Sequence, residues 1–327
     1  MTETPQITIL MATYNGAHYL AEQLNSLLAQ TYVNWQLIIR DDGSTDKTID
    51  IIKDYAVKHT HISLAEKRWP QKGACANFAA LFDIAYNDPK IGHIMFCDQD
   101  DIWKPEKLEK TMHAMQRVEK SNPGQPALIY GNFELMDSDG AFMPGQFKLK
   151  HSIHLRNLLS FNSVYGCTTM LNRALINRVA AIPATAINHD YWIALVASIY
   201  KSDFINEPLL RYRQHGNNAS GNVAGNNSMM SRLKRNFTAP DKELNNLKTR
   251  LIMFKDFYDR YHNEMSKDDR KLLTAFLEAF NSGRFKVTMV MLTNRIFRNG
   301  LLQTLASFFQ VVLFYDKLKA LGEGPNK

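Results

Sequence analysis

Cysteine is scarce in this sequence, and its three cysteines lie far apart. Cys75, Cys97 and Cys167 form neither a CxxC pair nor the ligand spacing of a zinc site. The short polar N-terminal segment lacks the apolar core of a signal peptide, and isolated cysteines are typical of a reducing compartment. We therefore expect the protein to reside in the cytoplasm.

Long apolar runs and several common catalytic motifs are also missing. The most apolar stretch, residues 301–315, is interrupted by Gln303 and Gln310 and is shorter than the ~20 residues that a membrane-spanning helix needs. The chain has no GxSxG elbow, no P-loop and no GxGxxG fingerprint. These absences argue against a membrane-spanning protein, a serine hydrolase, a P-loop NTPase and a dinucleotide-dependent oxidoreductase.

Positive charge is present but is concentrated at one end of the chain. The sequence holds 39 Lys and Arg against 32 Asp and Glu, which gives a net charge of +7. From Arg232 to the end there are 18 basic and 10 acidic residues, whereas residues 1–231 hold 21 and 22. The pattern predicts a near-neutral body with a basic C-terminal region, which suits an anionic partner such as a membrane surface or a nucleic acid.

Short apolar runs alternate with helical spacing of apolar residues in the first third of the chain. Strands are predicted at residues 7–11, 35–39, 62–64 and 91–96, with amphipathic helices between them. Such alternation predicts an α/β fold built on a mainly parallel sheet. Ligands of open α/β sheets bind at the carboxyl ends of the strands. We therefore expect the polar residues that follow these strands to share one edge of the sheet, namely Tyr14, Asp41, Asp42, Asp98 and Asp100.

The rest of the chain is less regular. Strands are predicted at 127–136, 163–171 and 209–213, and a helix at 190–200. An Asn-, Gly- and Ser-rich loop at 216–228 predicts a boundary between two regions. We expect a catalytic domain over residues 1–220, divided into halves of about 1–103 and 104–220, followed by a basic helical region over residues 221–327.

Two acidic motifs carry the chemistry of the predicted edge. Asp98 and Asp100 flank Gln99 at a strand end, where two carboxylates can converge on a hard divalent cation, although a solvated acidic turn has the same pattern. Asp41 and Asp42 can accept hydrogen bonds from a nucleoside. Capping of the next helix by Ser44 or Thr45 explains the end of that motif but not two successive aspartates before a glycine.

Taken together, four motifs resemble family 2 glycosyltransferases, in particular the bacterial rhamnosyltransferase-like group that builds surface polysaccharides such as O-antigen. They are ILMATYNG at residues 9–16, QTY…W at 30–35, DDGSTD at 41–46 and CDQDDIW at 97–103. The likeness covers about residues 6–220 in motif order and spacing. It implies a GT-A fold, a nucleotide-sugar donor and inversion at the anomeric carbon.

The resemblance also implies roles for individual residues. Asp190 would be the base that deprotonates the acceptor, although His189 stands where the usual motif has a glutamate. Mg²⁺ or Mn²⁺ would be bound by Asp98 and Asp100, with His215 as a third ligand. The nucleotide-sugar would contact Ala12, Tyr14, Asp41, Asp42, Asp98, Arg211 and Arg213. The acceptor would contact Asp101, Trp103, His189 and Trp192, and Tyr165 is a further candidate for stacking on a sugar.

The C-terminal region combines cations with the apolar stretch. Arg284, Lys286, Arg295 and Arg298 precede residues 301–315. This composition is typical of a helix that lies in the membrane interface. A helical bundle that packs on the catalytic domain, or that forms a homodimer, explains it equally well. We expect peripheral contact with the inner face of the cell membrane, where a lipid-linked saccharide acceptor would be met, and no nucleic acid partner.

Three functional hypotheses differ in class. The first is a glycosyltransferase, with dTDP-L-rhamnose as the expected donor and UDP-hexoses or UDP-N-acetylhexosamines as alternatives. The second is a sugar nucleotidyltransferase, which needs a glycine-rich basic loop after the first strand that residues 12–16 do not provide. The third is a non-enzymatic basic protein that binds membrane or nucleic acid, and its binding would weaken steeply with salt. Only the first explains the acidic edge.

Overall fold

The computed structural model describes residues 4–66, 69–144, 153–216, 240–296, 308–309 and 311–316. The first half alternates strands with helices and ends in a long helix. Its elements are β1 (Ile7–Thr13), α1 (Leu20–Leu28), β2 (Trp35–Asp41), α2 (Thr48–Lys58), β3 (Ile62–Leu64), α3 (Ala74–Asn87), β4 (His93–Asp98), β5 (Ile102–Trp103) and α4 (Lys107–Ser121).

The second half has shorter elements until its C-terminal helices. These elements are β6 (Ala127–Gly131), β7 (Glu134–Met136), β8 (Phe142–Met143), α5 (Leu155–Leu158), a 3₁₀ turn (Gly166–Thr168), β9 (Met170–Asn172), α6 (Arg173–Val179), α7 (His189–Ala197), β10 (Lys201–Ile205), β11 (Leu210–Arg213), α8 (Pro240–Tyr261), α9 (Lys267–Ser282) and α10 (Arg284–Thr293).

A seven-stranded sheet in the order β10-β6-β9-β4-β1-β2-β3 forms the centre of the molecule. β1 pairs in parallel with β2 and β4, whereas β9 runs antiparallel to both β4 and β6. A smaller sheet in the order β5-β11-β7-β8 lies beyond the carboxyl end of β4. The predicted α/β fold with a mainly parallel sheet is therefore confirmed.

The register of the central strands brings the predicted motifs together. Ala12 of β1 lies opposite both Arg40 of β2 and Asp98 of β4, and Thr13 lies opposite Asp41. Because these three strands are parallel neighbours, the loops that follow them meet at one edge of the sheet. The expectation that the acidic motifs share an edge is confirmed by this register.

Two predicted strands are wrong in their bounds. Residues 127–136 form two strands in different sheets, because the extended strand is interrupted at Asn132. The Asn132 side chain donates to the backbone oxygen of Asn206 (3.0 Å). Residues 163–171 contain the 3₁₀ turn and only the start of β9. Val164 and Cys167 are buried but lie outside any strand, so an apolar run alone does not distinguish a strand from a packed turn.

Alternate side chains of the central strands belong to two apolar clusters, one on each face of the sheet. Ile9 and Met11 pack with α1, α2 and α4, whereas Leu10 packs with α3, α6 and α7. The second cluster continues into the C-terminal helices, since Trp192 of α7 contacts Phe257 and Tyr261 of α8 at ring distances of 6.2 and 6.1 Å. The C-terminal helices thus cover the outer side of α7.

The division of the chain at about residue 220 stays a prediction. The Asn- and Gly-rich loop lies outside the described residues after Gly216, and so does most of the apolar stretch 301–315. Within the described residues, no helix is both long and apolar enough to cross a membrane.

Candidate active site

The loop after β1 is fixed to the loop after β4 by a single side chain, that of Gln99. Its Oε1 accepts the backbone N–H of Tyr14 (2.9 Å), and its Nε2 donates to the backbone oxygen of Tyr14 (3.0 Å). The Tyr14 ring is 56% exposed at the edge of the sheet. The middle residue of the acidic motif, which no sequence pattern singled out, therefore shapes the edge on which a planar base could lie.

Gly16 leaves room for this contact. A Cβ atom at Gly16 would lie 2.2 Å from Gln99 Oε1 and 2.4 Å from its Cδ. We expect Gly16→Ala to displace the Gln99 amide, to lower the free energy of unfolding by about 1–3 kcal/mol and to weaken donor binding. Gly92→Ala is the matched control in chemical denaturation, because nothing lies within 4 Å of that position. Equal stability of the two variants would contradict the assignment.

The two aspartates after β2 have different surroundings. Asp41 is occupied within its own turn, where its oxygens accept from the backbone N–H groups of Gly43 and Ser44 and from the hydroxyls of Ser44 and Thr13. Asp42 is buried, and its Oδ2 accepts the backbone N–H of Gly73 (2.7 Å). Asp41 thus holds the turn, and its predicted contact with the nucleotide would compete with four existing donors.

A buried polar network fastens the ends of β1 and β2. Asn77 of α3 accepts from Arg40 Nη1 (2.8 Å) and donates to the backbone oxygens of Thr13 and Arg40 (3.1 Å each). Arg40 also contacts Asp42 Oδ1 at 3.3 Å. Neither Arg40 nor Asn77 was predicted from the sequence, since an isolated polar residue inside a strand or a helix carries no signal of a partner far along the chain.

Asp98 lies among other acidic groups at the end of β4. One oxygen each of Asp98 and Asp101 and the sulfur of Cys167 lie within 4.8 Å of one another. Burial, together with the charges of Asp100 and Asp190, raises the pKa of Asp98 to about 7. Burial also holds the pKa of the Cys167 thiol well above its usual value, so this sulfur is a poor ligand for a hard cation.

Asp100 and His215 form the other part of the predicted metal site. Asp100 Oδ2 and His215 Nε2 are 2.7 Å apart, and the imidazole ring lies 5.2 Å from the ring of Tyr19. The structure thus places Asp100 beside His215, and Asp98 beside Asp101 and Cys167. That Asp98, Asp100 and His215 bind one cation together stays a prediction. Two carboxylates with an imidazole suit Mg²⁺ or Mn²⁺. A cation would relieve the repulsion that raises the pKa of Asp98, so the donor set fits one.

Asp190 lies in the first turn of α7, across from the acidic motif. Its Oδ1 accepts from Asn162 Nδ2 (3.0 Å), and its Oδ2 accepts the backbone N–H of Gly166 (3.1 Å). Burial raises its pKa to about 6, against the lowering effect of these hydrogen bonds and of the Tyr191 backbone. A carboxylate that is oriented by two donors and has a pKa near neutrality is well suited to accept a proton.

The two donors to the Asp190 carboxylate, Asn162 and Gly166, belong to a loop that contacts the C-terminal helices. Arg250 of α8 donates through Nη2 to the backbone oxygens of Leu159 and Ser160 (2.8 Å each), which begin the segment carrying Asn162 and Gly166. Tyr191, next to Asp190, contacts the ring of Phe254 on α8 at 6.1 Å. Contacts of α8 with this loop and with Tyr191 therefore help to position the predicted base, Asp190.

Several predicted acceptor contacts are incompatible with the structure. Trp192 and Trp103 are 0% and 2% exposed, because Trp192 packs under α8 and Trp103 lies beneath the Lys107 ammonium (4.5 Å). His189 is buried between Phe78 and Phe96, and burial lowers its pKa to about 3. Asp101 is 1% exposed and accepts the backbone N–H of Arg213 (3.2 Å). Tyr165 is only partly buried, and its ring contacts those of Phe133 (4.9 Å) and Tyr212 (6.0 Å). Its contact with a sugar stays a prediction.

The two arginines of β11 also differ from expectation. Arg213 is buried, and its guanidinium donates to the backbone oxygens of Asp100 (2.8 Å) and Ser138 (3.0 Å) and to Glu22 (2.5 Å). Its role is to tie the acidic loop to the smaller sheet, contrary to the predicted contact with a diphosphate. Arg211 is exposed and lies 3.9 Å from Glu134. Its contact with the donor stays a prediction.

Comparison with known proteins assigns the chain to a family. The family model for glycosyl transferase family 2 matches residues 8–176. The glucosyltransferase WfgD of Escherichia coli, named for transfer from UDP-Glc to α-D-GlcNAc-diphosphoundecaprenol, is 31% identical over 52% of this chain and 62% of its own. The putative teichuronic acid biosynthesis glycosyltransferase TuaG of Bacillus subtilis is 28% identical over 67% of this chain and 82% of its own.

Two solved structures share the fold. Staphylococcus aureus TarS in complex with UDP-GlcNAc has a TM-score of 0.51 at 16% identity, over 96% of this chain and 90% of its own. The mannosyltransferase PcManGT of Pyrobaculum calidifontis, in complex with GDP-Man and Mn²⁺, has a TM-score of 0.50 at 13% identity, over 98% and 85%. The fold is thus that of GT-A enzymes. Among curated relatives, the chain spans 65% of an uncharacterised glycosyltransferase from Rickettsia typhi.

Proposed function

Because the chain is a member of glycosyl transferase family 2, we propose that it transfers a sugar from a nucleotide-sugar to a hydroxyl of a saccharide acceptor, with inversion, in bacterial polysaccharide synthesis. The observation that carries the proposal is the position of Asp190, a carboxylate with a pKa raised to about 6 by burial, which faces the acidic end of β4. Inversion by one displacement needs one such base and no enzyme nucleophile.

The donor occupies the edge formed by the ends of β1, β2 and β4. Its nucleoside lies against Ala12 and Tyr14 and within reach of Asp42, and its diphosphate lies towards the acidic loop. Mg²⁺ or Mn²⁺ held by Asp98, Asp100 and His215 would neutralise charge on the diphosphate leaving group. The Mn²⁺ and GDP-Man complex of PcManGT supports a metal-bound donor in a molecule of this fold.

Asp190 performs the proton transfer in this proposal. Its carboxylate accepts the proton of the acceptor hydroxyl, whose oxygen forms a bond to the anomeric carbon from the face opposite the diphosphate. The bond between that carbon and the diphosphate oxygen breaks, and the electron pair leaves with the nucleoside diphosphate. Asn162 and the Gly166 N–H keep the carboxylate oriented towards the acceptor throughout. Tyr165, beside Asp190, offers its ring to the acceptor sugar.

The donor and the acceptor are narrower proposals. The name of WfgD and the UDP-GlcNAc complex of TarS support a UDP-sugar as the donor, either UDP-glucose or UDP-N-acetylglucosamine. In contrast, dTDP-L-rhamnose is supported only by motif resemblance. The diphosphoundecaprenol acceptor in the name of WfgD supports a lipid-linked saccharide as the acceptor here. Such an acceptor would place the enzyme at the cytoplasmic face of the membrane.

A panel of nucleotide-sugars tests the proposal. The full-length protein is titrated calorimetrically, and its thermal unfolding is followed, with UDP-, dTDP- and GDP-sugars in Mn²⁺ and in EDTA. We expect one donor to raise the unfolding temperature in Mn²⁺ and to do so much less in EDTA, because a ligand that binds only the folded state stabilises it. If no nucleotide-sugar alters unfolding in either condition, the transferase proposal fails.

A further inference from the structure

One face of α10 is apolar and exposed. Phe285, Met289 and Leu292 are spaced by four and three residues, so they lie along one side of the helix, and their exposed fractions are 77%, 42% and 44%. Val287 and Met291, on the other side, are buried in the apolar cluster that includes α8 and α9. The helix is thus fixed to the molecule by one side and presents three large apolar side chains on the other.

A second exposed apolar pair follows in the chain. Phe309 and Leu313, four residues apart, are 42% and 44% exposed, whereas Phe314 and Tyr315 are buried. Helical backbone at these described positions places the pair on one side, as in α10. We call Phe285, Met289, Leu292, Phe309 and Leu313 the apolar face of the C-terminal region, without implying that α10 and the later helix are coplanar.

Positive charge predominates beside this apolar face, and the exposed Asp316 follows its C-terminal end. Residues 279–315 contain Arg284, Lys286, Arg295 and Arg298 and no aspartate or glutamate. Lys286 and Arg295 are exposed, and Arg284 contacts Asp316 at 2.6 Å. Large apolar side chains among cations match the boundary of an anionic bilayer, where the apolar groups enter the acyl region and the cations meet the headgroups.

We propose that the apolar face docks on the surface of an anionic lipid bilayer, without spanning it. A second copy of the chain is a poorer partner, because a two-fold contact through this face would bring its cations against the same cations. An uncharged apolar partner would leave the exposed cations without a role. Docking would hold the protein at the surface where a lipid-linked saccharide is carried, but it does not depend on the identity of the donor or on turnover.

The first test is sedimentation of the full-length protein with vesicles that contain no saccharide lipid. We expect binding to phosphatidylcholine vesicles that include phosphatidylglycerol, and weak binding to phosphatidylcholine alone. The double variant Phe285→Ser and Leu292→Ser is expected to bind the anionic vesicles at least about tenfold more weakly. Phe142→Ser is the matched control, since Phe142 is 65% exposed on β8 and remote in sequence from the face. Its binding should equal that of the unmodified chain.

The second test separates charge from apolar contact. Lys286→Glu with Arg295→Glu is expected to weaken binding at least about tenfold, whereas Lys53→Glu with Lys58→Glu on α2 changes the net charge equally and should have little effect. Thermal unfolding verifies that each variant is folded. Equal binding by the two charge variants, or no vesicle binding by the unmodified chain, would overturn the proposal. A dimer in light scattering that the Phe285 variant dissociates would also overturn it, by assigning the face to a second copy.

Discussion

Asp190→Asn is expected to lower kcat by about 10³-fold while leaving the dissociation constant of the donor within a factor of about two. The carboxylate touches neither the predicted nucleoside surface nor the Asp100–His215 pair, so its loss removes the proton acceptor without removing a donor contact. Its oxygens accept from Asn162 and Gly166, and an amide can satisfy only one of these donors through its oxygen. A modest loss of stability should therefore accompany the loss of turnover.

The pH dependence of kcat/KM gives this prediction its direction, because kcat/KM reports the ionisation of the free enzyme. Burial raises the pKa of Asp190 to about 6, so the basic form is depleted below pH 6 and is dominant above pH 7. The kcat/KM of the unmodified enzyme should rise about tenfold per pH unit below that pKa and then level off. The residual activity of the variant should lack this rise, because an amide does not titrate.

Single-turnover transfer and calorimetric donor binding, measured from pH 5 to 8, check both expectations. Asp203→Asn is the control, because Asp203 lies on β10 at the far edge of the central sheet, where it forms an ion pair with Arg117 (3.6 Å). Retention of most of the activity by Asp190→Asn would remove this residue as the base. Loss of donor binding in parallel would mean that the variant had disturbed the fold around α7.

The sequence was informative where function depends on residues that directly follow a strand. Tyr14, Asp42 and Asp98 could be placed on one edge because parallel strands deliver their carboxyl ends to the same side, and the register of β1 with β2 and β4 agrees. Asp190 was singled out by the family resemblance, which implies a base at this position, and its role as the base stays a prediction. Local order along the chain was enough for the strand-end positions.

Other features depend on contacts between distant segments, which no local pattern encodes. The resemblance implies that Arg213 contacts the diphosphate, yet its guanidinium donates to Glu22 and to two backbone oxygens. Trp192 was predicted to contact the acceptor sugar, although α8 covers it. Gln99 and Asn162 orient the acidic loop and the base, but an isolated amide in a sequence gives no sign of its partner.

Asp98→Asn is expected to have the largest effect on donor binding, and its sign should depend on the metal. With Mn²⁺ present, the loss of one anionic ligand should weaken donor affinity by about a hundredfold. In EDTA at pH 8, above the pKa of about 7 that burial and the neighbouring carboxylates give Asp98, the same change removes a negative charge that repels the diphosphate. Donor affinity should then stay equal or rise several-fold.

This reversal separates a metal ligand from a residue that merely supports the loop. A structural role predicts weaker donor binding in both conditions, because the Asp98 carboxylate, which accepts a hydrogen bond from Cys167, would be lost in each. Asp139→Asn, in the exposed turn before β8, serves as the control for the change in net charge. Calorimetry of the donor with Mn²⁺ and with EDTA supplies the four affinities. If Asp98→Asn weakened donor binding equally in Mn²⁺ and in EDTA, Asp98 would be excluded as a ligand of the cation, and Asp100 and His215 would remain as its candidate ligands.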